Sequence, residues 1–383
     1  MPVPEQREDP PKGSASPNVL HAADVLPTAA VVGIVLATTV ATGIRHDHRE
    51  YGAQWAAALE GVWHPTNAYG PLHNAFAPLF AIHPLLPKVA FAGLALLCAA
   101  VLHRKGMASG VVGTGRIVCL AFVLNPVVIV STYVYGQNDI VAAALVLFAL
   151  VARSSGRPLG AGVLLGLAAL AKLYPLMLAP FLALEAGRVL RLRVIAGAVG
   201  TLAVGMASAV FLWGMDALDP ITFGSGREAK MLSIFRFLTC YPDLVGGEEG
   251  LAMLLDSNTL VVLAVTGLTF GALYVLGSTW RAGSILGLLA VLVAYKVGHP
   301  QFYVTWLVVL TWLLLEDRKG QAGRVAVRVL PVAALVALFQ VLYVTGAVTE
   351  GVRCWASVPF TLTALASLGL GLLAIDGITR RQR

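Results

Sequence analysis

"LGAGVLLGLAALAKLYPLMLAPFLAL", residues 159–184, is apolar almost throughout, yet it holds Lys172 with Pro175 three residues on. A charged side chain at the centre of a bilayer costs at least about 2.5–3.5 kcal/mol on insertion scales. A proline inside a helix removes a backbone donor and clashes with the preceding turn. Two basic clusters flank the stretch, "RSSGR" at 153–157 and "RVLRLR" at 188–193. A single crossing over 161–186 would put them on opposite sides, whereas cytoplasmic loops carry the Lys/Arg excess. Two short half-helices, about 161–171 and 175–186, rising into the outer half of the membrane and returning, keep both clusters on one side. Residues 172–175 are then the apex. Broken backbone at that depth is tolerated only where it is buried in protein or lines a cavity, so Lys172 is expected to point into an outward-facing cavity. The alternative is a kinked single span with one cluster misplaced.

The rest of the chain agrees with a membrane setting. Its 383 residues are 58% hydrophobic and 12% charged, with mean hydropathy +0.80, against about 25% charged in soluble domains. Apolar runs near the roughly 20 residues that cross a bilayer fall at 26–43, 86–103, 117–135, 140–153, 194–214, 259–278, 282–297, 301–315, 329–346 and 357–376. The fold class is therefore an all-α polytopic membrane protein of about ten spans plus the re-entrant pair. The opening "MPVPEQREDPPKGSASPN" is too long and too acidic for a signal-peptide n-region. Residues 1–25 read as a disordered cytoplasmic tail and 26–383 as one transmembrane domain.

Further positive charge sits in "HRKG" (103–106), Arg281, "EDRKGQAGRVAVR" (316–328) and the terminal "RRQR". Placing all of it inside puts both termini in the cytoplasm of a multi-pass plasma-membrane protein. The net charge of +7 is thereby spent on loops against membrane lipid and implies no nucleic-acid partner. Of four cysteines, Cys240 and Cys354 fall on the same, outer side and are able to pair there, though four cysteines allow three pairings and no spacing decides among them.

With this topology the polar residues that solvation does not explain gather on the outer side. They lie in "GIRHDHREYGAQWAAALEG" (43–61) with Asp47 and Glu50, and in "HPTNAYGPLHNAF" (64–76) with Tyr69 in a turn. "YGQNDI" (135–140) carries Gln137, Asn138 and Asp139. "GREAKMLSIFRF" (226–237) carries Arg227, Lys230 and Arg236, and "YKVGHPQFYVTW" (295–306) carries Lys296, His299 and Gln301. Each also has a plain explanation. Asp47 suits a helix N-cap, "GQND" is good turn chemistry, and arginines snorkel to headgroups. His46 and His48 beside Asp47 bring metal to mind, but three candidate ligands in three residues make poor geometry. They read as interfacial, and no metal or cofactor is called for.

At these residues the chain resembles the GT-C superfamily of polyprenol-phosphate-sugar-dependent glycosyltransferases, and most of all glycosyltransferase family 87. The matching features are Asp47, Tyr51 and Gly61 after the first span, "YGP" (69–71), Gly136-Gln137 opening a span, and "KLYP" (172–175). "YKVGHPQFYVTW" is similar to a stretch of the glycosylphosphatidylinositol mannosyltransferases. The order is kept over about 26–315. An Asp-x-Asp pair is missing from the first loop, and Asp139 is an extra acid.

The resemblance implies a GT-C-like bundle and a hexosyl- or pentosyltransferase. A sugar, mannose first and arabinofuranose second, would pass from a polyprenyl-phosphate donor to a glycolipid or glycan acceptor outside the membrane, with inversion. The chemistry needs a carboxylate to take the acceptor's proton and fixed cations to meet the departing phosphate. Asp47, backed by Glu50, suits the first need. Lys172, Arg227 and Lys230 suit the second, with Tyr69, Gln137, Asn138, Asp139, Tyr174, His299 and Gln301 around the substrate. A transporter or flippase of a lipid-linked sugar is the non-enzymatic alternative.

Overall fold

A computed structural model describes residues 22–108, 112–185, 187–223 and 227–382. Most of the expected tail, residues 1–21, lies outside them; the four residues at its end do not extend it, because helix α1 (Ala22–Ala41) already begins there. The chain continues as α2 (His46–Leu59), α3 (Leu86–Ala108), α4 (Val112–Val123), α5 (Asp139–Ser154), α6 (Pro158–Ala171) and α7 (Arg188–Trp213). Then come α8 (Ile234–Cys240), α9 (Gly247–Asp256), α10 (Asn258–Val275), α11 (Trp280–Ala294), α12 (Tyr303–Glu316), α13 (Gln321–Val344) and α14 (Glu350–Gln382). Short helical turns fill most connections. Two dipeptides, β1 (Lys230–Met231) and β2 (Val297–Gly298), pair in parallel.

Among the described residues, six helical stretches are long and apolar enough to cross a membrane: Leu86–Ala108, Arg116–Val134, Arg188–Trp213, Asn258–Val275, Gln321–Val344 and Cys354–Gly377. Together with the all-helical architecture they make this a multi-pass membrane protein. The expected spans at 140–153, 282–297 and 301–315 also fall on helices, but α5, α11 and α12 have only 16, 15 and 14 residues. With the 14 residues of α6, these are about 21–24 Å long at 1.5 Å per residue, short of a hydrocarbon core of about 30 Å. They are also the interior of the bundle. Nearly every residue of α11 and α12 is buried, as are Ile140, Val146 and Leu147 of α5 and Leu165 and Ala168 of α6.

What stops them is readable in the chain. α5 starts just after Gly136, whose φ is +67°. α6 opens on Pro158, where a missing N–H costs nothing, and ends at Lys172, which is extended at φ −151°, ψ 134°. Pro175 then disfavours helix for the residue before it, and the chain resumes as a tight turn over Tyr174–Leu178. Pro300 similarly sits in the turn preceding α12.

The break at Lys172 returns the chain as expected for two half-helices. α6 and α7 pack closely in parallel: Gly162 lies against Val194 and Ala198, Gly166 against Ala198 and Thr201, and Leu170 against Gly205. Parallel neighbours require that residues 172–185 travel back to the level where α6 began. Arg153 accordingly donates from Nε to the Leu182 carbonyl at 2.9 Å. At this end Glu316 accepts from Ser154 at 2.8 Å and pairs with Arg281 at 2.8 Å and Lys105 at 3.8 Å, and Glu185 accepts from the Trp280 N–H. The basic clusters at 103–106, 153–157, 281 and 316–328 thus meet at one end of the bundle. A Cys240–Cys354 disulfide ties α8 to α14.

Candidate active site

The opposite end carries the cavity. A half-open cavity of about 210 Å³ lies between the end of α6, the turn before α12 and the start of α10, with Lys172, Arg227, Tyr69, Tyr174, Tyr295 and Phe302 among its walls. Met177, Ile221, Val262 and Leu263 form an apolar side. Lys172 Nζ lies 5.1 Å from the Tyr69 ring centre and 4.9 Å from that of Phe302, distances at which an ammonium is attracted to a ring face.

Lys172 does not face the cavity alone. Its Nζ is 2.7 Å from Asp139 Oδ1, and the two side chains are 5% and 1% exposed. The lysine is tolerated at this depth first because a buried carboxylate answers it, and it is not the sole cation there, since Arg227 lines the same space. Asp139, the acid that departs from the family pattern, is its partner.

From Asp139 the contacts lead to the expected base. Two residues earlier Gln137 donates from its amide to Asp47, and the intervening Asn138 meets His73 Nδ1 at 3.0 Å. Asp47 is half-buried near the start of α2, whose N-cap is Arg45, so the plain N-cap explanation for Asp47 does not hold. The helix also supplies Tyr51, buried, with its hydroxyl 3.1 Å from that of Tyr69. The nearby carboxylates Asp139 and Asp47 and above all burial push the Tyr69 phenol well up. Burial, then Lys172, pushes His73 down to about 3. Burial, then Arg227 and Lys172, does the same to His299. Both rings are neutral donor-acceptors at physiological pH.

Gly70 explains why "YGP" and "KLYP" belong together. A Cβ there would come within 2.2 Å of the Leu170 carbonyl, and its N–H points to the Ala171 carbonyl at 3.4 Å. Only a residue without a side chain lets the first loop rest on the end of α6, which sets Tyr69 beside Lys172.

The remaining expected site residues are spread between the cavity and the surface. Glu50 is exposed on α2. Lys230 pairs with Glu228 at the surface, and the pairing holds the Glu228 carboxyl below its usual range. Tyr174 lines the cavity while its hydroxyl meets Thr305 at 2.7 Å. His299 packs edge-on against Phe302, and Gln301 is half-buried in the same turn. His48 is not interfacial. It is buried, with Nε2 2.8 Å from the Pro84 carbonyl and its ring edge-on to Trp55. His46's side chain lies outside the described parts. Lys296 is also buried, its Nζ donating to the Leu255 carbonyl at the end of α9. Among the described residues no group of three or more His, Cys, Asp or Glu is disposed to hold a metal. His73, Tyr295 and Phe302 are not singled out from sequence; all three stand inside quoted stretches, but the stacking of His73 on Trp55 carries no sequence signal.

Fold and site together define a multi-pass membrane protein with a charged cavity cut into one end of its helices. A glycosyltransferase family 87 model matches residues 67–222, and this match supports a membrane glycosyltransferase. No curated protein matches the chain. The matched segment contains Tyr69, His73, Gln137, Asp139, Lys172 and Tyr174; Asp47, Arg227 and His299 lie outside it.

Proposed function

We propose that the cavity receives the phosphate of a polyprenyl-phosphate sugar, mannose by preference, and that the sugar passes to a hydroxyl of a glycolipid or glycan on the outer face of the plasma membrane. The observation that carries this reading is the pairing of Lys172 and Arg227 with an apolar wall of Met177, Ile221, Val262 and Leu263 in one cavity. An anionic head and an isoprenoid tail match those two surfaces. The acceptor oxygen attacks the anomeric carbon as the bond to the phosphate oxygen breaks, and the acceptor's proton goes to Asp47. Polyprenyl phosphate departs with its added charge facing Lys172 and Arg227. Fixed cations in a water-poor site stabilise that charge more than water does. One displacement inverts the anomeric centre. Gln137 orients Asp47, and Asp139 holds Lys172 in place.

The topology follows the same reading: the end bearing Glu316, Arg281 and Lys105 faces the cytoplasm with both termini, and the cavity faces outside. Purified protein in detergent, given synthetic polyprenyl-phospho-mannose and a mannoside acceptor, should release polyprenyl phosphate and extend the acceptor. Movement of the intact donor across proteoliposomes without release of the phosphate would replace this reading with that of a flippase.

A further inference from the structure

Lys88 has no part in the chemistry above, yet it is the most deeply buried cation beside the Asp47–Gln137 pair. It sits in the first turn of α3 with no exposed surface. Its Nζ donates to the Gly43 carbonyl at 2.7 Å and to Thr42 Oγ1 at 2.8 Å. Those groups end α1, four and five residues before Asp47 in the chain. With its oxygen accepting from Lys88, the Thr42 hydroxyl has one proton to donate, shared between the Thr38 carbonyl at 2.8 Å and the Tyr133 carbonyl at 3.1 Å. Tyr133 lies in the turn that delivers Gln137, four residues on.

The alkyl stem of Lys88 makes a second connection to that turn. A Cβ on Gly136 would fall 2.9 Å from Lys88 Cγ and 3.1 Å from Cδ, at a backbone φ of +67° that L side chains rarely adopt. Glycine is needed there for both reasons. One side chain therefore grips the segment leading to Asp47 with its head and the segment leading to Gln137 with its stem. A lysine's several rotatable donors suit this.

We propose that Lys88 is a positioning residue that sets the Asp47 carboxylate against the Gln137 amide, with Thr42 as its relay. This rests on Asp47 acting as the base. A misplacement near 1 Å in a reacting group costs on the order of 100-fold in rate, so Lys88→Met should lower kcat by about 10–100-fold while donor affinity stays within about twofold. In an Asp47→Asn background the same substitution should cost nothing further, because a group that acts through another adds no loss once that other is gone. Thr42→Val should show the same split with a smaller loss, and it stands in if Lys88→Met fails to fold.

A readout free of sugar chemistry separates this proposal from the assignment of the reaction. With Asp47 and Gln137 both replaced by cysteine and Cys98 and Cys119 by serine, a short bis-methanethiosulfonate should bridge the pair readily. Adding Lys88→Met or Thr42→Val should slow that bridging several-fold. If bridging slows but the wild type transfers no sugar from any polyprenyl-phosphate donor, the positioning geometry stands and the reaction does not. Bridging at an unchanged rate, donor affinity falling with kcat, or losses that add to those of Asp47→Asn would each overturn the proposal.

Discussion

The two ends of the bundle handle charge in opposite ways. At one end Glu316 gathers Lys105 and Arg281, whose side chains are 26% and 31% exposed, so each cation keeps some access to water. At the other, Lys172 and Asp139 are 5% and 1% exposed and depend on each other, beside a cavity lined with a further arginine. The first arrangement resembles a clasp between loops and is cheap to build. The second takes two ions out of water, which burial alone makes unfavourable, and it appears where four inner helices stop short. On the proposed function, that charge is kept because the donor phosphate meets it.

The contrast is broken most severely at Lys172. Lys172→Met leaves the Asp139 carboxylate buried without its partner, and such a loss costs about 3–5 kcal/mol. Unfolding in detergent should show that deficit and sugar transfer should vanish. Replacing both residues, Lys172→Met with Asp139→Leu, removes the buried charge altogether and should recover most of the stability. Transfer should stay lost, because Arg227 alone would be left to meet the departing phosphate. A double variant that transfers sugar at the wild-type rate would reduce the lysine to a structural anchor.

Next in size is Asp47→Asn, which keeps shape and the contact with Gln137 but not basicity. Turnover should fall by about 10²–10⁴-fold with donor binding and unfolding near wild type. Normal turnover in this variant would move the proton acceptor elsewhere, and exposed Glu50 on the same helix is the residue to test.

How much of this was legible beforehand follows from what each feature depends on. Spans depend on apolar length, and the re-entrant segment on two basic clusters and one proline; all are local, and α6 packing parallel to α7 agrees with them. The ordered motifs placed Asp47, Gln137 and Lys172 on one side, and the structure brings them into one contact chain. The Lys172–Asp139 pair joins positions 33 apart in sequence, so each ion looked unexplained alone. Lys88 was hidden by standing at the start of a long span, where a lysine normally snorkels. Lys230 and Glu50 carried the right charge in the right loops, but charge says nothing of which way a side chain turns.

A smaller effect concerns the two neutral rings. His73 and His299 titrate near 3 in the folded protein against 6.5 when free, so the unfolded chain binds more protons than the folded one between those values. Stability is then complete above about pH 6.5 and declines as pH falls towards 3, by at most roughly 1.4 kcal/mol per pH unit for each ring. Comparing unfolding midpoints at pH 7 and 5, the decline should be shallower in His299→Gln than in the wild type. An equal or steeper slope would mean that the ring is already protonated in the fold.

The smallest effect belongs to the clasp, and it is the control for everything above. Glu316→Gln removes one charge but keeps an oxygen for Ser154 and Arg281, whose bonds to it are both 2.8 Å. Lys105 and Arg281 have water within reach, so neither becomes an isolated buried ion. Partly exposed pairs of this kind contribute about 0–1 kcal/mol. Unfolding should shift within that range, less at high salt where screening already weakens the pairs, and sugar transfer should be untouched because Glu316 stands at the far end of α12 from the cavity. A penalty as large as that of Lys172→Met would mean that the two ends bury charge alike, and burial of an ion pair would no longer mark the site.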